Sequence, residues 1–264
     1  MKYTYTELAK MIDHSLLHPT MTDQELDDGC RLAARYQVAS VCIKPYAVRR
    51  AAELLAGTGV HVGAVIGFPH GNGCTESKRY EAELACRDGA AEIDMVINIG
   101  KALSGDWDYV EQDVRTVCQE AHARGAKVKV IFENDYLTKG GAGLSSDDFK
   151  RCLCVVCERA GADWVKTSSG YGFVRQADGS YNYKGATEHD LALMRASVSA
   201  HVQVKAAGGV RDLDGLIKVR DLGVSRCGAT ATAAMMDEYR RREASEKTGG
   251  GSVTEVAALG GGGY

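Results

Sequence analysis

Short β-branched runs alternate with helix-like stretches along almost the whole chain, and this rhythm restricts the fold more than any other feature. The strand candidates are 12–17, 40–44, 63–68, 92–98, 128–133, 163–166, 202–206 and 225–227. Several are near-continuous apolar runs, the pattern of parallel strands covered on both faces. Thr22-Asp23-Gln24-Glu25 is a capping box that opens a helix running toward Tyr36. Helical patterns follow at 76–87, 108–123, 147–160, 188–200 and 230–242. Gly125 and Gly161 stand where a helix must stop before the next strand. Eight βα units in 264 residues predict a single-domain (β/α)8 TIM barrel, with a short N-terminal helix in front. A doubly wound open sheet is the competing arrangement. Its Gly-rich first turn is missing, because the first strand runs into His14-Ser15-Leu16-Leu17-His18-Pro19. The barrel domain is expected over 1–245, and a flexible glycine-rich tail over 246–264, ending on Tyr264.

An apolar content of 45% is enough for a large core. With 35 acidic against 32 basic residues the net charge is −3, which argues against a nucleic-acid or polybasic membrane surface. There is no apolar run of membrane length. The opening residues Met1-Lys2-Tyr3-Thr4-Tyr5-Thr6-Glu7 lack a signal-peptide apolar region, so a cytoplasmic protein is expected. Nine cysteines without a secretory signal do not suggest a disulfide framework. Cys152, Cys154 and Cys157 cluster, but no second Cys/His knuckle follows at zinc spacing. They read as one face of an amphipathic helix, and no metal is expected.

Two lysines stand at the carboxyl ends of strands: Lys166 in Asp163-Trp164-Val165-Lys166-Thr167-Ser168-Ser169-Gly170, and Lys205 in Val204-Lys205-Ala206-Ala207-Gly208-Gly209-Val210-Arg211. Strand parity groups Asp94 with Glu92, Lys129 with Glu133, Lys166 with Trp164, and Lys205 with Gln203. If those faces point inward, Asp94, Lys129, Lys166 and Lys205 converge. Buried charges must be paired or must shift their pKa. One outcome is a structural ion-pair cluster. The other is chemistry: desolvation and a neighbouring ammonium both lower a lysine's pKa and free an amine able to form a Schiff base with an aldehyde or ketone. Asp94 could then relay protons. Position alone does not separate these readings.

Glycines add phosphate logic. Gly208-Gly209 follows the seventh strand beside Val210 and Arg211, and Gly228 follows the eighth just before a helix expected to open at Ala229-Thr230. Backbone N–H groups at these two loops are the usual phosphate cradle of this barrel. The stretch 170–185 is long for a βα loop and carries the hairpin-turn signal Ala177-Asp178-Gly179-Ser180, flanked by Phe173, Tyr181 and Tyr183.

Taken together, Asp13-His14-Ser15-Leu16-Leu17, Gly67-Phe68-Pro69-His70-Gly71, Glu92-Ile93-Asp94-Met95-Val96, Lys166-Thr167-Ser168-Ser169-Gly170 and Lys205-Ala206-Ala207-Gly208-Gly209-Val210-Arg211 resemble the deoxyribose-phosphate aldolase family, metal-independent class I aldolases on a TIM barrel. The motifs run in the family's order. The resemblance implies reversible cleavage of 2-deoxy-D-ribose 5-phosphate to acetaldehyde and D-glyceraldehyde 3-phosphate, without a cofactor, commonly in a homodimer. It implies Lys166 as the Schiff-base nucleophile, Lys205 as the lysine that lowers its pKa, and Asp94 as proton relay. Lys129, Asp13, Ser15 and Cys42 fall at supporting positions. Gly170, Gly208, Gly209, Val210, Arg211, Gly228 and Thr230 fall at phosphate-binding ones. Tyr264 matches a C-terminal tyrosine that some members use to move a proton at the donor carbon.

The chain departs from the family around the phosphate. Two serines usually follow the last strand; here the run is Gly228-Ala229-Thr230-Ala231, so one hydroxyl is lost at Ala231. Tyr171 stands where some members carry a lysine, and the long loop through Lys184 is absent from compact members. That loop could supply Arg175 or Lys184 as substitute cations, or shape the pocket for another acceptor. The alternatives to the leading reading are the same lysine chemistry on a non-phosphorylated aldehyde, or a catalytically silent sugar-phosphate-binding barrel.

Overall fold

The computed structural model describes residues 1–249, so Tyr264 and the greater part of the expected tail lie outside the described residues. Strands β1 (Ile12–Leu16), β2 (Ser40–Ile43), β3 (His61–Ile66), β4 (Glu92–Val96), β5 (Lys127–Ile131) and β6 (Trp164–Lys166) come first. A two-stranded hairpin, β7 (Val174–Arg175) and β8 (Tyr181–Asn182), precedes β9 (Gln203–Ala207) and β10 (Arg226–Ala229). The barrel closes in the order β1-β10-β9-β6-β5-β4-β3-β2, and β7 pairs only with β8. Every barrel pairing is parallel. This is the expected (β/α)8 barrel, with the hairpin where the Asp178-Gly179 turn predicts one.

The helices are α1 (Tyr5–Ala9), α2 (Asp23–Tyr36), α3 (Val48–Leu55), α4 (Thr75–Arg87), α5 (Ile99–Leu103), α6 (Trp107–His122), α7 (Ser146–Ala160), α8 (Glu188–Ser197), α9 (Leu213–Asp221) and α10 (Thr232–Gly249). The Thr22 side chain and Glu25 form the anticipated reciprocal cap of α2. Gly161 caps α7 in the left-handed conformation at φ 96°. Cys154 and Cys157 are buried in α7, while Cys152 is half-buried. Two helices that the sequence reading did not single out complete the outer ring. In α3, Val48, Ala51 and Leu55 face inward; in α9, Leu213, Leu216 and Val219 do. Both are short, which leaves few residues in which a 3.6-residue period can stand out. Helix α10 starts two residues later than expected and runs to Gly249, so positions 246–249 of the expected tail are helical.

Several expected strands end too late. Strand β4 stops at Val96 and β5 at Ile131, although the following residues are also apolar. Beyond β5 the backbone turns at Glu133, with φ 60°, and beyond β3 at Gly67, with φ 53°. These kinks convert strand ends into the loops that line the catalytic face.

The core lies between barrel and helices. Val128, Val130 and Val204 point outward and pack with Val114, Val117 and Leu153 in one apolar cluster. Their alternate neighbours Lys129 and Lys205 therefore point inward. A second buried ion pair braces the wall from outside. Lys78 Nζ donates to Asp113 Oδ2 at 2.5 Å and to the Val96 carbonyl at 3.0 Å, at the end of the strand that carries Asp94. The Lys78 stem also fills the space beside Gly67, where a Cβ would meet its Cε at 3.0 Å. Asp113→Ala should lower the unfolding free energy by about 3–5 kcal/mol, because it strands a buried ammonium. In urea titration, Lys78→Met/Asp113→Leu should recover most of that loss; equal losses in both variants would contradict a purely electrostatic origin.

Candidate active site

Strand register brings the candidate residues together. Lys166 on β6 is the direct partner of Lys205 on β9, and Asp94 on β4 is the partner of Lys129 on β5. Asp94 and these three lysines are buried. Lys166 Nζ and Lys205 Nζ each lie 2.7 Å from the same oxygen, Asp94 Oδ2. Lys129 Nζ reaches the other, Asp94 Oδ1, at 3.0 Å.

Asp13 on β1 extends the network. Its Oδ2 is 2.6 Å from Lys205 Nζ and 3.6 Å from Lys129 Nζ, and its Oδ1 accepts from Ser40 Oγ at 2.7 Å. Glu92 and Arg226 close it below: Arg226 pairs with both Asp13 and Glu92, and Glu92 also pairs with Lys129. Four cations thus meet three carboxylates. The surplus falls on Lys166, whose one carboxylate contact among the described residues is an oxygen shared with Lys205.

The pKa shifts follow from that inventory. For Lys166, burial pushes the pKa down; Asp94 opposes this, and the Lys205 charge lowers it further. Burial also works against the ammonium of Lys205, but Asp13 and Asp94 outweigh it and hold the pKa well above the usual range. Lys129 moves the same way, with Asp94, Asp13 and Glu92 overcoming burial. Asp94 is held well below the ordinary carboxylate range, since the three lysines outweigh its burial. The two lysines read from the sequence as a pair are therefore unlike: the ammonium is favoured on Lys205 and disfavoured on Lys166.

A cavity of about 180 Å³ opens onto Lys166 and Lys205 at the carboxyl ends of the strands. Roughly 300–1,000 Å³ is usual for drug-sized ligands, so this site suits a small metabolite. Every residue expected at the phosphate lines it: Gly170, Gly208, Gly209, Val210, Arg211, Gly228 and Thr230. Ser15 and Cys42 also line it. Cys42 Sγ is 3.8 Å from Asp94 Oδ2, and burial, then Asp94, raise its thiol pKa. Gly208 and Gly209 adopt φ 79° and 86°, a double left-handed turn open to glycine and strained for other residues.

Three local expectations change. Gly228 belongs to β10 rather than following it. The last helix opens at Ala231, whose carbonyl accepts from Met235 N, and not at Ala229-Thr230. Arg175 and Lys184, the suggested substitute cations, do not line the cavity. Arg175 is exposed on the hairpin, and the Lys184 backbone N–H is bound to Asp135 Oδ1 at 2.6 Å. The hairpin instead contributes Tyr183 to the lining, and Tyr171 forms the adjoining wall with its ring edge-on to Phe68 at 5.6 Å.

The loop after β6 is fixed by two buried contacts. Thr167 Oγ1 accepts from Ala207 N at 3.0 Å and lies 3.2 Å from the Ala207 carbonyl, tying the Lys166 and Lys205 strands together. Glu133 accepts from the Ser169 N–H, at 3.2 Å to the nearer oxygen, and burial raises its pKa to about 7 against those hydrogen bonds. Gly172 lies so close that a Cβ there would stand 2.4 Å from Glu133 Cδ. Neither Arg226 nor Glu133 was singled out as a site residue from sequence. Parity with Gly228 could have found Arg226. Nothing in the sequence marks Glu133 as left-handed.

The comparisons with known proteins agree with this geometry. Residues 8–231 match the model of the DeoC/LacD family aldolases. The chain is 49% identical over 262 residues to a deoxyribose-phosphate aldolase of Rhodopirellula baltica, covering 99% of each chain. It is 41% identical over 231 residues to one of Aciduliprofundum boonei, covering 88% of this chain and 96% of that one. Among solved structures, the tetrameric deoxyribose phosphate aldolase of Aeropyrum pernix superposes with a TM-score of 0.76 at 27% identity, covering 90% of this chain and 92% of that one. The motif order, the closed barrel and the match across residues 8–231 lead to one conclusion: the chain belongs to the DeoC/LacD family of aldolases.

Proposed function

We propose that the chain is a Schiff-base aldolase that reversibly cleaves 2-deoxy-D-ribose 5-phosphate to acetaldehyde and D-glyceraldehyde 3-phosphate. The single observation that carries this reading is the Asp94 oxygen shared by Lys166 and Lys205 at 2.7 Å each, at the floor of a small cavity with a glycine-rich rim. One lysine held charged beside another that burial pushes toward the free amine is the arrangement imine chemistry needs.

In the cleavage direction the Lys166 amine adds to the C1 aldehyde of the open-chain sugar, and loss of water leaves a protonated imine. That cation draws the C2–C3 bonding pair toward C2 while the C3 hydroxyl gives up its proton. D-Glyceraldehyde 3-phosphate departs, and an enamine remains on Lys166. Protonation at C2 and hydrolysis of the imine release acetaldehyde and restore the amine. Asp94 is too strongly ionised to hold a proton for long, so its part is that of an acceptor passing protons between Lys166, Lys205 and water. Lys129, Asp13, Glu92 and Arg226 keep it in place. Tyr264, outside the described residues, is proposed to exchange the proton at the donor carbon.

The other end of the cavity fits the phosphate. Backbone amides of the Gly208-Gly209 turn and the Arg211 guanidinium border it, and Thr230 brings a hydroxyl beside the opening of α10. Ala231 at the cap has no polar side chain to compete for the first N–H groups of that helix. The same reading carries a cytoplasmic, homo-oligomeric enzyme, for which a dimer is the simplest proposal.

Reduction with borohydride in the presence of acetaldehyde should fix an ethyl group on Lys166, located by peptide mass spectrometry. An adduct elsewhere, or none, would end the covalent mechanism. Lys205→Met removes the charge that depresses Lys166 and leaves Asp94 to stabilise its ammonium. The rising limb of the kcat profile should move alkaline by about one pH unit or more, since tenfold in protonation corresponds to about 1.4 kcal/mol. Turnover at pH 7 should fall at least about tenfold with the circular dichroism spectrum unchanged, and an unshifted pH limb would refute the paired-lysine model. Finally, kcat/KM for 2-deoxyribose 5-phosphate should exceed that for free 2-deoxyribose by at least about tenfold for each charge-assisted hydrogen bond to phosphate. A ratio near one would replace the substrate with a non-phosphorylated aldehyde while leaving the lysine chemistry intact.

A further inference from the structure

The long loop after β6 is not an ornament on the rim. Its return strand is tied to the barrel at several points. The Lys184 and Gly185 amides donate to the Asp135 carboxylate at 2.6 and 3.0 Å. Ala186 N–H donates to the Ala207 carbonyl at 3.0 Å, on the strand that carries Lys205. On the outgoing side, the Phe173 ring meets Tyr183 edge-on at 5.4 Å, and Tyr136 Oη donates to the Phe173 carbonyl at 3.4 Å. Tyr183 is thus held from both strands of the hairpin, and it reaches the cavity that contains the lysines.

Its placement within that cavity is specific. A Cβ built on Gly208 would stand 3.2 Å from Tyr183 Cε2 and 3.8 Å from Cδ2. The Cε2 edge of the ring, one bond from the carbon that bears the hydroxyl, therefore lies over the glycine turn. Gly185 closes on the same turn, where its own Cβ would meet Gly208 Cα at 2.8 Å. Among the described residues the Tyr183 hydroxyl has no hydrogen-bond partner, while its backbone N–H is used by Asn182. An unengaged phenol thus stands over the amides of a phosphate-type turn, beside an α10 cap at Ala231 that carries no side-chain hydroxyl.

We propose that the hairpin is part of the substrate site: Tyr183 donates a hydrogen bond from its phenol to the phosphate group of the sugar. Tyr183 is then a specificity-determining residue, distant in sequence from the cradle it completes. The inference rests on the reading that the phosphate occupies the Gly208-Gly209 end of the cavity.

Tyr183→Phe is the informative variant, because it keeps the ring on Gly208 and against Phe173 and removes only the hydroxyl. A hydrogen bond to a charged group contributes about 1.5–3 kcal/mol, or roughly 10–100-fold. KM for 2-deoxyribose 5-phosphate and the inhibition constant for inorganic phosphate should both rise about tenfold or more. Kinetics with unphosphorylated 2-deoxyribose, and borohydride trapping of acetaldehyde on Lys166, should stay at the wild-type level. Unchanged phosphate constants in Tyr183→Phe, in an enzyme that does prefer the phosphorylated sugar, would overturn this inference alone. Equal losses on both sugars would also overturn it, by making the hydroxyl part of general loop packing. A wild-type enzyme with no preference for the phosphorylated sugar would instead remove the phosphate reading on which the inference stands.

Discussion

One carboxylate oxygen shared between two ammonium positions organises this molecule. Asp94 Oδ2 cannot satisfy Lys166 and Lys205 equally, and Lys205 has a second carboxylate in Asp13 where Lys166 has none among the described residues. The imbalance favours the ammonium on Lys205 and disfavours it on Lys166. It also explains why the barrel tolerates so much interior charge. The usual filling of such a barrel is layers of branched apolar side chains. Here Asp13, Glu92, Asp94, Lys129, Lys205 and Arg226 form a nearly neutral cluster, each member paired at short range. Unpaired, any of them would be strongly destabilising at such burial; as a network they hold one another rigid.

That arrangement depends on register more than on any single contact. A one-residue slip of β6 or β9 would turn Lys166 or Lys205 out of the barrel and leave Asp94 without its partners. The outward alternation of Val128, Val130 and Val204 into the core guards against such a slip, because it would expose apolar side chains to the charged interior. Thr167 clamps the two lysine strands just above the amines. Stability and chemistry therefore draw on the same alternation: the face that packs on the helices fixes the face that reacts.

The barrel and the centre of its site were legible in the sequence because both are written in local periodicity. Alternation placed Asp94, Lys129, Lys166 and Lys205 on inward faces, and the glycines after the seventh strand marked the anion end. What was not legible depends on backbone turns and on partners distant in the chain. Strand ends were overshot at 97–98 and 132–133, where Ile97 and Phe132 prolong the apolar run by one residue beyond the strand. Glu133 in a left-handed conformation has no sequence signature, and it reaches Ser169 only once the barrel has closed. Arg226 pairs with Asp13 from the opposite end of the chain. For the long loop, the turn residues announced a hairpin, but charge alone pointed to Arg175 and Lys184. The structure brings Tyr183 instead, since side-chain direction in the return strand is set by its anchoring to Asp135.

The site therefore divides into two parts with different origins. The lysines proposed for imine chemistry sit on strands, where geometry is fixed by the barrel. The groups proposed for anion recognition sit on loops: the Gly208-Gly209 turn, the start of α10 and the hairpin over them. Loops accept substitution and insertion with little effect on the core. The Ala231 cap and the Tyr183 phenol, just beyond β8, both lie outside the strands that carry Lys166 and Lys205. Glu133 is the joint between the two parts. Its backbone continues from the strand of Lys129, and its carboxylate holds the loop that begins at Lys166, against Gly172 at the foot of the hairpin. Burial raises the Glu133 pKa to about 7, against the Ser169 hydrogen bonds and the nearby Lys166 charge, so the joint responds to the lysine site as well as to the loop.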